Sequence, residues 1–208
     1  MRLTMSILFL TIFAGIVNAQ QKFTEFHAGA LFPTDAKTGF IGGLSFGRML
    51  DENIGWGAEV DVYRRTYTKE EEVAQNTGQV NETVVVTEIE NATTMIPVLF
   101  KIAYLTQAGP GFDLRISVAG GYEFMWNSEN NYLINKEKSR FYSGWTWQVG
   151  AGISLPISRT ADFFGELNYH GGSPSRDEKR IDGLPVRTEV DMSGMMLRLG
   201  LRLYTFGF

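Results

Sequence analysis

The sequence lacks cysteine, is poor in histidine and proline, and carries no excess of positive charge. None of its 208 residues is Cys, two are His and 6 are Pro. The absence of cysteine excludes disulfides, thiolate metal sites, a cysteine nucleophile and lipidation on cysteine. Lys and Arg number 19 against 23 Asp and Glu, for a net charge of −4. This balance lacks the basic footprint of nucleic-acid binding, so no nucleic-acid partner is predicted.

Glycine and aromatic residues are abundant instead. The chain contains 23 Gly, and 13% of its residues are aromatic. Aromatic residues favour strands, whereas so much glycine disfavours helix bundles. Hydrophobic residues make up 44% of the chain, which is enough to fold. Together these features predict a single β-rich domain.

Residues 1–19 have the organisation of a secretory signal peptide. Arg2 supplies the positive charge, residues 7–17 form an apolar run, and residues 17–19 read Val-Asn-Ala, a cleavage-site pattern. The alternative is a membrane anchor, but the run is shorter than the ~20 residues that a helix needs to span a bilayer. No later apolar run reaches that length. We therefore expect an exported chain over residues 20–208, either soluble or a transmembrane β-barrel.

Apolar residues recur with a period of two, which places alternate side chains on opposite faces of a strand. The pattern predicts eight strands, at residues 23–32, 40–49, 54–63, 96–104, 112–123, 145–155, 163–170 and 195–203.

The predicted connections alternate between short and long. Those around residues 51–53, 106–111 and 157–161 are short, whereas residues 66–94, 127–140 and 171–189 are long and polar. The first connection, residues 33–38, is short although it falls on the long side. Outer-membrane barrels use even strand numbers, short turns on one side and long loops on the other. The predicted fold is therefore all-β, an eight-stranded antiparallel up-and-down transmembrane β-barrel.

One parity of these strands is apolar and is predicted to face lipid. Its members include Val60, Val98, Phe100, Val118, Val149, Leu199 and Leu201. The other parity carries charges together with glycines, and the charged members are Glu59, Asp61, Lys101, Arg115, Glu123, Glu166, Arg198 and Arg202. In a soluble sandwich or a lipocalin-like barrel this parity would be the solvated exterior. Glycines weaken exposed strands but suit a narrow lumen, so they favour the membrane barrel.

Four acids and four bases share the predicted lumen. A charge buried without a partner is costly, so we expect them to pair between neighbouring strands. Glu59 is expected to pair with Lys101, and Glu166 with Arg198 or Arg202. The prediction is a lumen filled by ion pairs that blocks large solutes.

Three motifs resemble a known family. Residues 96–104 read IPVLFKIAY, similar to that family's IPLLLKYY strand, and residues 148–153 read QVGAGI, similar to its GxGAGV strand. Residues 164–172 read FGELNYHGG, similar to xEARYxxGL, with Asn168 in place of the family's Arg. Glu59 matches its usual third-strand glutamate. On these motifs the chain resembles the PorT-like, eight-stranded outer-membrane β-barrel domain family of Bacteroidota-type bacteria. The resemblance implies location in the outer membrane.

Barrels of this kind commonly end on an aromatic residue that the insertion machinery reads, and Phe206 and Phe208 match that signal. The expected partners are outer-membrane lipid, the barrel-insertion machinery and an unidentified external ligand or protein. Tyr204, Phe206 and Phe208 share the parity of inward Arg202, so we expect either a bulge near Tyr204 or an end that leaves the barrel.

No enzymatic motif is found. The sequence has no GxSxG elbow, Walker motif or HExxH motif, so no catalytic residue, cofactor or metal is predicted. The favoured function is a small structural or interaction barrel. The alternatives are a narrow gated conduit, a soluble carrier, and a lipid-modifying enzyme using His170 with Ser173 or Ser175.

Overall fold

The computed structural model describes residues 21–76, 81–132, 136–181 and 184–204. Their strands are β1 (Lys22–Pro33), β2 (Gly39–Met49), β3 (Ile54–Asn76), β4 (Asn81–Gly109), β5 (Phe112–Asn131), β6 (Lys136–Ser158), β7 (Ala161–Gly172), β8 (Ser175–Ile181), β9 (Leu184–Glu189) and β10 (Gly194–Leu203). Among the described residues, no helix has the length and apolar character needed to cross a membrane.

Eight of the strands close into a barrel. Strands β1 to β7 pair with their sequence neighbours, β7 pairs with β10, and β10 pairs with β1, which closes the ring. Every one of these pairings is antiparallel. The structure therefore confirms the predicted eight-stranded antiparallel barrel.

The long connections differ from the sequence prediction. Residues 66–94 and 127–140 were expected to be polar loops, but most of them continue β3, β4, β5 and β6 as paired strands. Within residues 171–189, β8 and β9 form an additional hairpin, joined to β6 by the Ser143–Ser175 pairing. Polar residues do not end a strand while both neighbouring strands continue to pair with it. In addition, residues 83–87 (TVVVT) are all β-branched, which favours the strand conformation.

The barrel wall is taller on one side than on the other. Strand β4 has 29 residues, whereas β2 has 11. At about 3.3 Å per residue, β4 is far longer than the ~30 Å hydrocarbon core of a bilayer. The extra length lies at the end with the long connections, called here the loop end. The chain's described termini and the three short turns lie at the opposite end, called the turn end.

The apolar parity faces outward. Of the residues predicted to face lipid, Val60 is half-buried, and the exposed ones are Val98, Phe100, Val118, Val149, Leu199 and Leu201. The charged parity is buried inside the barrel. A soluble sandwich or carrier requires the reverse arrangement, so that interpretation is wrong. An apolar outer belt around a closed sheet is what a bilayer requires.

Replacing Leu199 or Val118 with Arg should destabilise the barrel in a bilayer by about 2–4 kcal/mol, because both side chains point into the apolar belt. Phe112 lies on the same face of β5 as Val118 but begins the strand. Phe112→Arg is the matched control and should cost about 0–1 kcal/mol. The measurement is the free energy of unfolding of each variant and of the unmodified protein in lipid vesicles. Unchanged stability in both Leu199→Arg and Val118→Arg would reverse the assignment of the two faces.

Two adjacent glycines test how tightly the inner face is packed. A Cβ atom on Gly121 would collide with the carbonyl oxygen of Val98 in β4 and would lie 2.9 Å from Leu99 Cα. A Cβ atom on Gly120 would meet nothing within 4 Å. Gly121→Ala should therefore cost about 1–3 kcal/mol, as overpacking does. Gly120→Ala should be neutral or slightly stabilising, because it only restricts the unfolded chain. Equal effects on the unfolding free energy would contradict this packing.

Candidate functional site

The structure places all eight sequence-predicted charges inside the barrel. Each is fully or almost fully buried, with Lys101 the most exposed at 5%. They come from five of the eight barrel strands: Glu59 and Asp61 from β3, Lys101 from β4, Arg115 and Glu123 from β5, Glu166 from β7, and Arg198 and Arg202 from β10. These eight charged side chains therefore occupy the lumen of this narrow barrel.

The two expected pairs between neighbouring strands are present. Lys101 Nζ lies 2.6 Å from Glu59 Oε2, and Arg198 Nη2 lies 3.0 Å from Glu166 Oε2. Arg198 and Glu166 are also register partners between β10 and β7. Period-two alternation and strand order were sufficient to predict these contacts.

Arg202, the alternative partner expected for Glu166, contacts a different acid. Its Nε donates to Glu25 Oε1 at 2.7 Å instead. Glu25 also accepts a bidentate pair from Arg115, at 2.7 Å for Nη1 and 2.8 Å for Nη2. Strands β1 and β5 lie opposite each other in the ring, so this pair crosses the full lumen. Glu25 was not among the predicted residues, although it shares the inward parity of β1 with Phe23.

A second set of contacts spans the barrel through Arg198. Its Nη1 lies 2.7 Å from Glu59 Oε1 and 3.5 Å from Asp61 Oδ2, joining β10 to β3 across two intervening strands. Arg115 Nε meets Glu166 Oε1 on the other side. We call the set formed by Glu25, Glu59, Asp61, Lys101, Arg115, Glu166, Arg198 and Arg202 the lumen network. Its members cross-link the wall from several directions.

Both histidines point into the lumen, each against a carboxylate. His27 Nε2 lies 2.5 Å from Asp61 Oδ1. His170 Nε2 lies 3.0 Å from Glu123 Oε2, and its Nδ1 lies 3.4 Å from Gln148 Nε2. Neither contact is among the predicted pairs, although the parity of β1 that turns Glu25 inward also turns His27 inward.

The side chains of His27, Glu59 and Asp61 bring their ligand atoms within 4.8 Å of one another, a spacing that could hold a cation. Two cationic side chains already neutralise this position, since Arg198 and Lys101 both contact Glu59. The three side chains therefore fit an ion-pair network better than a metal site.

The pair of His170 with Ser173 or Ser175 that the lipid-modifying alternative needs is not among the described contacts, where His170 meets Thr146, Gln148 and Glu123. His170 is fully buried against Glu123, whereas Ser173 is exposed at the loop end.

Apolar side chains close the turn end of the lumen. This turn-end cluster consists of Phe23, Met49, Ala103 and Leu105, with Tyr204 packed against it. Tyr204 follows the end of β10, and its hydroxyl donates to Asp162 Oδ2 at 2.5 Å. Strand β10 has thus ended before Tyr204, so no bulge is needed to explain its inward position. Phe206, Phe208 and residues 1–19 lie outside the described residues.

A larger apolar cluster closes the loop end. The members of this loop-end cluster are Leu31, Ile41, Tyr63, Met95, Met125, Tyr142, Met192 and Met196. Met192 comes from the segment before β10, which crosses the mouth of the barrel. The Met192 N–H donates to Gly172 O, and the carbonyl oxygens of Ser193 and Asp191 accept the N–H groups of Thr34 and Asp35. The hydroxyl and backbone N–H of Ser193 also hold the pKa of Asp191 below its usual value. Apolar side chains therefore cover the lumen network on both sides.

A cup of about 220 Å³ lies on the outer side of the loop-end cluster. Its floor includes Tyr63, Met125 and Met192, and its wall carries Arg65 and Tyr67. Lys37 also lines it, with Nζ 3.5 Å from the centre of the Tyr67 ring. The lining thus combines cationic, phenolic, amide and carboxylate side chains above an apolar floor.

Removing one partner of a lumen pair should cost about 3–5 kcal/mol, because the other charge is left buried and unpaired. Glu166→Ala and Arg198→Ala test this by unfolding in detergent or in vesicles. The exposed pair Arg187–Glu189, at 3.0 Å, is the control, and Arg187→Ala should cost about 0–1 kcal/mol. Losses below about 1 kcal/mol in both lumen variants would contradict the filled lumen.

A family model described as an outer membrane protein beta-barrel domain matches residues 12–172, well over half of the chain. No curated protein matches the chain. The solved structure of Neisserial surface protein A is similar with a TM-score of 0.52 at 10% identity, covering 89% of this chain and 96% of that one.

A major outer membrane protein from Thermus thermophilus is similar with a TM-score of 0.51 at 15% identity, covering 88% of this chain and 98% of that one. At such identities the two structures show a shared fold only.

Proposed function

The chain belongs to the outer membrane protein β-barrel domain family and is an outer-membrane protein, and we propose that it is a closed, non-catalytic barrel that makes its contacts at the loop end. The observation that carries the proposal is the sealed lumen. Three layers fill it in succession: the turn-end cluster, the lumen network and the loop-end cluster. A solute would have to displace paired charges and two apolar layers in order to pass.

The loop end offers the surface for contact. The cup above the loop-end cluster presents Lys37, Arg65 and Tyr67 around an apolar floor. Strands β3 to β6 rise beyond the shorter wall and border it on one side. In outer-membrane barrels the long loops face outside and the short turns face the periplasm. The cup would then open to the exterior, where a ligand or a partner protein meets it.

The narrow conduit is the competing function, because an ion-pair network can act as a gate. Planar-bilayer recording of the unmodified protein separates the two. We expect no stable conductance at moderate voltage, since each end of the lumen is closed by buried side chains. A reproducible open channel would favour the conduit and overturn the closed-barrel proposal. Glu166→Ala is a useful comparison, because it opens a void inside the lumen network.

The orientation can be measured by labelling, since the chain has no cysteine of its own. Ser173→Cys at the loop end and Thr160→Cys at the turn end both replace exposed hydroxyl residues. With a membrane-impermeant maleimide, Ser173→Cys should react on intact cells and Thr160→Cys only after the outer membrane is opened. The reverse pattern would place the cup in the periplasm.

A further inference from the structure

We propose that the outer wall near the turn end binds an anionic glycerophospholipid. Three outward positions lie side by side there in one hydrogen-bonded row. Lys22 of β1 is the register partner of Arg48 of β2, and Arg48 is the partner of Trp56 of β3. Two cations and an indole thus meet on the side of the barrel that faces the bilayer.

A groove of about 230 Å³ begins at this row and runs toward the membrane interior. In the next outward row, Ala58 is the register partner of Phe46 on one side and of Phe100 on the other. The methyl group of Ala58 leaves a gap between the two phenyl rings. Trp56 closes one end of the gap, with its ring centre 6.0 Å from that of Phe100. Arg48 also lines the groove.

The position of the groove determines the class of its occupant. Its aromatic walls are exposed on the apolar belt, so the surrounding hydrocarbon fills it with an acyl chain. Lys22 and Arg48 lie at the border of the belt. Each cation near the headgroups raises the affinity for an anionic lipid surface about fivefold. In the orientation proposed above, the turn end meets the periplasmic leaflet. A phosphate held by the two cations and a chain held in the groove together describe a glycerophospholipid of that leaflet.

An acid also lies near this row in the sequence. Asp51 lies in the β2–β3 turn, where its Oδ1 accepts the backbone N–H groups of Asn53 and Ile54 at 2.8 and 2.6 Å. These bonds hold the carboxylate within the turn; it keeps its negative charge and is present in every variant compared below.

Fluorescence quenching of Trp56 tests the site. The chain has four tryptophans, so replacing Trp126, Trp145 and Trp147 with Phe leaves Trp56 as the only indole. The protein is folded into phosphatidylcholine vesicles that contain a minor fraction of brominated phosphatidylglycerol or, in parallel, brominated phosphatidylcholine. We expect phosphatidylglycerol to reach half-quenching at a fraction at least fivefold lower. If the triple variant does not fold, the difference between the unmodified protein and Trp56→Phe gives the same signal.

Three variants distinguish a specific lipid-binding site from non-specific electrostatic attraction of anionic lipid to the protein. Lys22→Gln with Arg48→Gln should bring the two half-quenching fractions together. Ala58→Leu should lower quenching by both lipids, since it fills the groove and leaves the cations in place. Arg159→Gln removes an exposed cation from another turn at the same end and should change nothing. Equal quenching by both lipids in the parent protein, or an equal loss of preference in Arg159→Gln, would overturn the proposal.

Discussion

The cost of burying charge governs this structure. A narrow barrel in a bilayer must turn its apolar side chains outward, so its polar side chains have only the lumen to occupy. Inside, each ion needs a partner at hydrogen-bond distance, because an unpaired one costs several kcal/mol. Arg115 held by Glu25 and Arg198 shared between Glu59 and Glu166 meet that requirement. Barrel closure and the lumen network therefore depend on each other.

The same requirement explains how the two ends are built. Water reaching the lumen network would weaken its ion pairs by screening them, and apolar side chains cover it on both sides. Phe23 and Met49 do this at the turn end, whereas Met192 is carried over the loop end by a short segment tied to the first loop. The two proposed contact surfaces, the cup at the loop end and the groove beside Trp56, lie outside these apolar layers.

Much of this could be predicted from sequence because the period of a strand is two. Alternation in residues 54–63 or 112–123 reports which side chains share a face, and it correctly separated Val118 from Arg115. It fails where apolar and polar residues do not alternate. The upper parts of β3 and β4 lack that alternation and are predicted as loops, although pairing between the two strands continues to Asn76 and Asn81. The β8–β9 hairpin was missed for the same reason.

Local alternation and strand order are enough to predict the eight barrel strands, their two faces and the ion pairs between neighbouring strands. Glu59 with Lys101 and Glu166 with Arg198 belong to this class. The contact of Arg115 with Glu25, which Arg202 shares, depends instead on the folded barrel. Those contacts cross the lumen between strands that are remote in sequence. Which residues meet across the lumen depends on the stagger of the strands when the ring closes. Local alternation carries no information about that stagger.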